Sequence, residues 1–142
     1  MAKDRQLPPP KLLAALICDQ VIRDRTTLKP SLIGVFSDIH TSKFPAVHPR
    51  MTLFFQLTNG HGKVKLTIRL VDVGNNEEEI HEPLEGEITF QDARQTLEFE
   101  IEVLNVMIQH EGEYRVQIFS GSDLLGERQF YVRPLNQKTK ED

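Results

Sequence analysis

The chain has one cysteine, no tryptophan, no apolar run longer than seven residues and no surplus of basic side chains. Each shortage excludes something. With Cys18 alone no intrachain disulfide can form, so the fold must hold by packing, and a reducing cytoplasm suits such a chain. A transmembrane helix needs about 20 consecutive apolar residues, far more than Leu12-Leu13-Ala14-Ala15-Leu16-Ile17-Cys18 supplies. That run also makes a poor export signal. The leader Met1–Gln6 mixes charges, the run stops at Asp19, and bulky Ile17 precedes the cysteine where a small residue belongs. Seventeen Lys and Arg against 21 Asp and Glu give a net charge of −4. A general nucleic-acid binder needs the opposite balance to displace phosphate counterions. Neither a nucleic-acid nor a membrane partner is expected.

Motifs for chemistry are scarce as well. No Gly-x-Ser-x-Gly elbow and no Gly-rich phosphate loop occurs, and Ser120 and Ser122 fall in a turn. The five histidines have neither the i, i+4 spacing of a helical zinc site nor a cysteine pair beside them. His40, His48 and His110 are the candidates for a surface metal, and become a site only if they converge with an acid in a pocket. Asp72 to Glu79 carries oxygen ligands without the spacing of a calcium loop, and reads as a mobile acidic loop. No catalytic residue and no cofactor is expected.

What the chain does have is alternation. Met51, Leu53, Phe55 and Leu57 alternate with Thr52, Phe54, Gln56 and Thr58. Val64, Leu66, Ile68 and Leu70 alternate with Lys63, Lys65, Thr67 and Arg69, and Leu97, Phe99, Ile101 and Val103 with three glutamates, Glu98, Glu100 and Glu102. Period two marks half-buried strands. Turn formers separate them: Asp24–Pro30, Asn59-Gly60-His61-Gly62 as a tight hairpin, and Ser120-Gly121-Ser122-Asp123. About eight strands and no amphipathic helix predict an all-β fold, an antiparallel sandwich of immunoglobulin-like kind. The expected organisation is a flexible Pro-rich leader over 1–10, one domain over 11–134 and a polar tail over 135–142. If the Lys63, Lys65, Arg69 strand neighbours the glutamate strand, cross-strand ion pairs follow.

The runs ALICDQVIRDRTTLKPSLIGVFSDI, FPAVHPRMTLFFQLTNGHG and GEYRVQIFSGSDLLGERQFYV together resemble a family of uncharacterised bacterial proteins known only as a domain of unknown function. The resemblance spans about Lys11 to Arg133 and implies a small bacterial domain, with no activity or ligand to carry over. Leu28 stands where that pattern leads one to expect glycine, which bears on the turn. A second resemblance, of EGEYRV to the tyrosine corner of immunoglobulin-like sandwiches, gives Tyr114 and Gly112 a structural role.

The first two strands depart from the half-polar pattern. Leu12, Ala14, Leu16 and Cys18 oppose Leu13, Ala15, Ile17 and Val21, and Leu32 and Phe36 oppose Ile33, Val35 and Ile39. One sheet face of a sandwich is buried, so the second needs a cover: a loop, a bulge or another chain. Leu13, Ala15, Ile17, Val21, Leu32, Phe36 and outward Phe54 are the interface candidates. The functional expectation is a non-catalytic binding or structural module, self-associating or holding a protein partner through this hairpin or through end loops. The alternative is a small metal-dependent enzyme or ligand binder using loop histidines and carboxylates.

Overall fold

A computed structural model describes residues 7–135. Ten strands form two sheets: β1 (Lys11–Arg23), β2 (Pro30–Val35), β3 (Asp38–Thr41), β4 (Ala46–Thr58), β5 (Gly62–Asp72), β6 (Glu78–Glu79), β7 (Leu84–Phe90), β8 (Thr96–Ile108), β9 (Gly112–Ser120) and β10 (Asp123–Pro134). One sheet runs β2-β1-β4-β8. The other runs β3-β10-β9-β5, with β6 and β7 both on the far side of β5. The protein is an all-β sandwich. Its pairs are antiparallel except β3 on β10, which is parallel because the chain crosses between sheets after β2.

The alternating residues meet between the sheets. Ile17, Met51, Leu53, Phe55, Leu57, Val103, Val106 and Ile108 face Val64, Leu66, Ile68, Leu70, Val116, Ile118, Phe130 and Val132. Each such side chain contributes roughly 1.5–3 kcal/mol on full burial, which is why a chain without disulfides can hold this form. Two glycines let the layers close. At Gly86 a Cβ would collide with the tip of the Phe99 ring, and at Gly126 it would meet the Leu12 side chain.

Three local features differ from the sequence expectation. Asn59–Gly62 is no hairpin: β4 and β5 lie in different sheets, and the segment is a corner, with Asn59 and Gly62 at φ 60 and 63 and Asn59 N donating to Ala93 O at 2.8 Å. The acidic stretch after Asp72 is ordered into a short 3-10 turn, Val73–Asn75, followed by β6. The β1 ladder shifts register between Leu12 and Ala14. That bulge places Leu12 beside Ala15 and Ile17 against the core, not beside Ala14, Leu16 and Cys18.

The glutamate and lysine strands are also apart, because β8 lies in one sheet and β5 in the other. Glu100 and Glu102 pair instead with Arg23 and Arg50, and Glu98 accepts from Gln56. Charged side chains along this outermost strand discourage edge-to-edge pairing.

Candidate functional site

The β1–β2 hairpin closes on Asp24–Lys29. The Asp24 carboxylate accepts from the amides of Thr26 and Thr27 at 2.8 and 2.7 Å, which holds its carboxyl below the ordinary range, the Thr27 bond first. Leu28 N donates to Asp24 O, and Leu28 itself takes φ 62, the left-handed conformation that favours glycine.

From that turn the ladder does not run regularly to the other end. Asp24 N donates to Lys29 O, while Phe36 N donates to Ile17 O. The register of β1 on β2 is constant, yet these two bonds belong to opposite phases of an antiparallel ladder. Pro30, opposite Arg23, has no N–H and fits only the turn-side phase. The phase changes at Asp19 and Gly34, where Gly34 has φ +70 and a Cβ would collide with the Asp19 carboxylate. Beyond this point the faces exchange: Val21 and Arg23 join the side of Leu16 and Cys18, and Gln20 and Ile22 take the other.

The hairpin also leaves the plane of its sheet. Pairing of β1 with β4 stops at Cys18–Thr52, although β4 continues to Ala46. On a flat ladder Arg23 would lie seven residues, about 23 Å, from the row that holds Phe54 and Glu100. Instead Arg23 Nε bonds Glu100 Oε2 at 3.1 Å. The hairpin therefore doubles back over the outer face, and the cover that the two apolar faces require is largely the hairpin itself. Cys18, Thr52 and Phe54, all on that outer face, are buried. Burial pushes the Cys18 thiol up, with the neighbouring Asp19 charge acting the same way.

The interface candidates are thus divided. Ile17 and Phe54 are interior, and Ala15, Val21, Leu32 and Phe36 are half-buried within the chain. Only Leu13, at the bulge, is exposed. Other apolar side chains of the hairpin that face solvent are Ile22 and Ile33 on one face, at 48% and 45% exposure, Val35 on the Cys18 side at 51%, and Leu28 at the turn at 64%. Sequence parity assigned Ile33 and Val35 to the opposite side from the candidates and left Ile22 out. The signal that could have found them is Gly34, an isolated glycine inside an apolar strand.

His110 and Tyr114 form the second cluster. Tyr114 is fully buried, its ring stacked on Phe130 with centroids 5.6 Å apart, and its hydroxyl donates to His110 O at 2.5 Å. This is the geometry of a tyrosine corner. Burial and the nearby Asp72 charge push the phenol up to about 12. Gly112, at φ 144, makes the turn that a side chain would strain. The His110 ring is held at both nitrogens: Nδ1 by Glu111 O at 2.7 Å and Nε2 by Asp72 Oδ2 at 2.6 Å. Both nitrogens are engaged within the chain. The Glu111 bond, and then Asp72, raise its pKa against the opposing cost of burial. Sequence reasoning missed Asp72, which it placed in a solvated loop; it is buried at the end of β5 and accepts from Gly74 N.

His40 and His48 share a cleft of about 360 Å³ with Asp19, Asp38 and Phe36. His48 Nε2 is buried and has no hydrogen-bond partner among the described residues. Burial lowers the pKa of His48, against a backbone bond to Arg50 and the Asp19 charge. No three potential ligands come close enough to hold a metal among the described residues.

A family model described as a family of unknown function, DUF6941, matches residues 13–133. The chain belongs to the DUF6941 family. As a DUF6941 domain it shows no significant sequence match to a curated protein. In fold it is similar to part of the alkylpurine DNA glycosylase AlkC of Pseudomonas fluorescens, with a TM-score of 0.50 at 14% identity, covering 87% of this chain. The DUF6941 chain spans 30% of that protein's length. It is also similar to an immunoglobulin-like protein of Pseudomonas aeruginosa, at TM-score 0.46 and 18% identity over 89% of this chain and 98% of that one. A β-glucosidase from Listeria innocua gives TM-score 0.46 at 12% identity, covering 87% of this chain and 16% of that one. These likenesses concern the fold. No helix among the described residues is long and apolar enough to cross a membrane.

Proposed function

We propose that this DUF6941 domain is a non-catalytic binding module whose contact surface is the exposed side of the β1–β2 hairpin. The observation that carries the reading is that Ile22 and Ile33, on one face of the hairpin, and Leu28 at its turn face solvent on an element already anchored to the sandwich through Arg23 and Glu100. An exposed apolar patch on a fixed scaffold is a common mark of a protein contact. The partner class is protein, either a second copy or another chain, and the reduced, buried Cys18 suits the cytoplasm.

The test is capture of partners by the wild-type chain and by an Ile22→Lys, Ile33→Lys variant that melts at the same temperature. The reading expects the retained partners to be lost, additional copies of the chain included. An unchanged set of partners contradicts it.

A second reading rests on His48 Nε2 and makes the Asp19, Asp38, His40, His48 cleft a site for a small polar ligand that bonds that nitrogen. Mass spectrometry of the purified protein under native conditions separates the two, since a small molecule retained by the wild type and lost on His48→Phe substitution supports only the second.

A further inference from the structure

The β8–β9 corner, residues 109–111, carries the chain from one sheet to the other. Three contacts hold it, all on His110. The Tyr114 hydroxyl donates to its carbonyl, and its two ring nitrogens meet Glu111 O and Asp72 Oδ2. Tyr114 OH is a donor whatever the state of the ring. The two ring contacts are different in kind.

A backbone carbonyl only accepts, so Nδ1 must carry a proton to bond Glu111 O. A carboxylate likewise only accepts, so Nε2 must carry one to bond Asp72. The closed geometry therefore requires both protons. A neutral ring that keeps the Glu111 bond turns a lone pair on Nε2 towards the Asp72 oxygen; one that keeps the Asp72 bond turns a lone pair towards Glu111 O. Either repulsion loosens the corner. Asp72 cannot simply relax into water, because it is 4% exposed and is fixed by Gly74 N.

Below the ring lies a cavity of about 210 Å³ lined by Asp72, Asn75, Glu78, Glu79, Met107 and His110, among others. Asp72 from β5 meets the ring directly, the neutral Tyr114 phenol from β9 has its ring centroid 5.9 Å away, and Glu78 and Glu79 from β6 line the same cavity. From β8 and the turn after β5 come Met107, Gln109 and Asn75, which carry no charge. Every charged group around the cavity is thus acidic, although Glu79 is also paired with Arg69. The surroundings favour the cationic ring.

We propose that His110, Asp72 and the Glu111 carbonyl form a proton-dependent latch, which holds the β8–β9 corner against Asp72 at the rim of this cavity while the imidazole carries both protons and releases it when one is lost. The latch is closed on the acid side and opens as pH rises. Opening frees the Glu111 carbonyl and parts the corner from Asp72, beside the exposed Met107. The inference stands apart from the hairpin reading, since no residue is shared.

The test is nitrogen NMR of the histidine rings of the whole chain across pH, with hydrogen exchange of the corner amides. The expected result is that both His110 nitrogens are protonated on the acid side of its titration, that its midpoint lies above that of an unperturbed histidine, and that protection of Gly112, which pairs with Val132, falls through the same midpoint. In Asp72→Asn the midpoint moves down and the protection no longer follows it. A His110 ring that is neutral at pH 6.5, or corner protection that is flat through the His110 titration, overturns the latch. The wild-type titration decides the matter alone if the variant does not fold.

Discussion

Replacing Leu28 by glycine should stabilise the protein, although it deletes an apolar side chain. Leu28 holds φ 62 at the β1–β2 turn and its side chain is 64% exposed, so little packing is lost. A non-glycine residue in the left-handed region costs roughly 1–2 kcal/mol. Glycine returns roughly 0.5–1 kcal/mol of that through the greater freedom it gives the unfolded chain. The net gain is about 0.5–1 kcal/mol. The contacts made by residue 28 are main-chain ones, its N–H to Asp24 O and its carbonyl from Arg23 Nη1 at 3.0 Å, and glycine keeps both. With an unfolding entropy of about 2.1 cal/mol/K per residue, a chain of 142 residues should melt about 2–3 °C higher. Differential scanning calorimetry of the two proteins in one buffer measures this. An unchanged or lower midpoint would refute the left-handed assignment, and Leu28→Ala, which keeps the strain, should fail to reproduce the gain.

Four further outcomes follow. Phe54→Ala should cost about 3–5 kcal/mol by denaturant unfolding, because the hairpin seals Phe54 on a face that alternation alone would leave wet; a loss under 1 kcal/mol would mean that the face is open. A double-mutant cycle on Arg23 and Glu100 should give a coupling of about 0.5–1 kcal/mol that weakens in salt, and zero coupling would detach the hairpin from β8. Tyr114→Phe should lose about 1–2 kcal/mol by leaving His110 O without its donor, whereas a neutral substitution would show the corner bond to be incidental. The pKa of His110 is raised in the folded state, so its contribution to stability is fully present below about 6.5 and is lost as pH rises through the folded value. The stability difference between wild type and His110→Gln should accordingly shrink towards alkaline pH, and a difference that grows there would reverse the sign of the argument.

The layers and the core were legible because alternation is a direct record of which side of a strand is buried. Met51 to Leu57, Val64 to Leu70 and Leu97 to Val103 fall where their period puts them. The failures all lie where something other than period decides. Asn59–Gly62 has the residues of a hairpin turn, but a corner between sheets asks for the same positive φ values, and composition cannot tell them apart. At Leu13 and at Asp19–Gly34 the alternation slips, by a bulge in one case and a phase change in the other, so counting by twos assigned Leu12 and Val21 to the wrong companions. β4 and β8 slip together at Pro49 and Asn105, the latter at φ 54, so that Val106 and Ile108 return to the core. Asp72 reads as one more acid in an acidic stretch. Its side-chain partner is His110, which is 38 residues away in the chain.

Hydrogen exchange of the whole chain, alone and in complex with the partner it retains, tests the central claim most directly. The account predicts new protection concentrated at Gln20–Arg23 and Pro30–Val35, with the rest of the sandwich unchanged. Protection that appears elsewhere while the hairpin exchanges as in the free protein would contradict it.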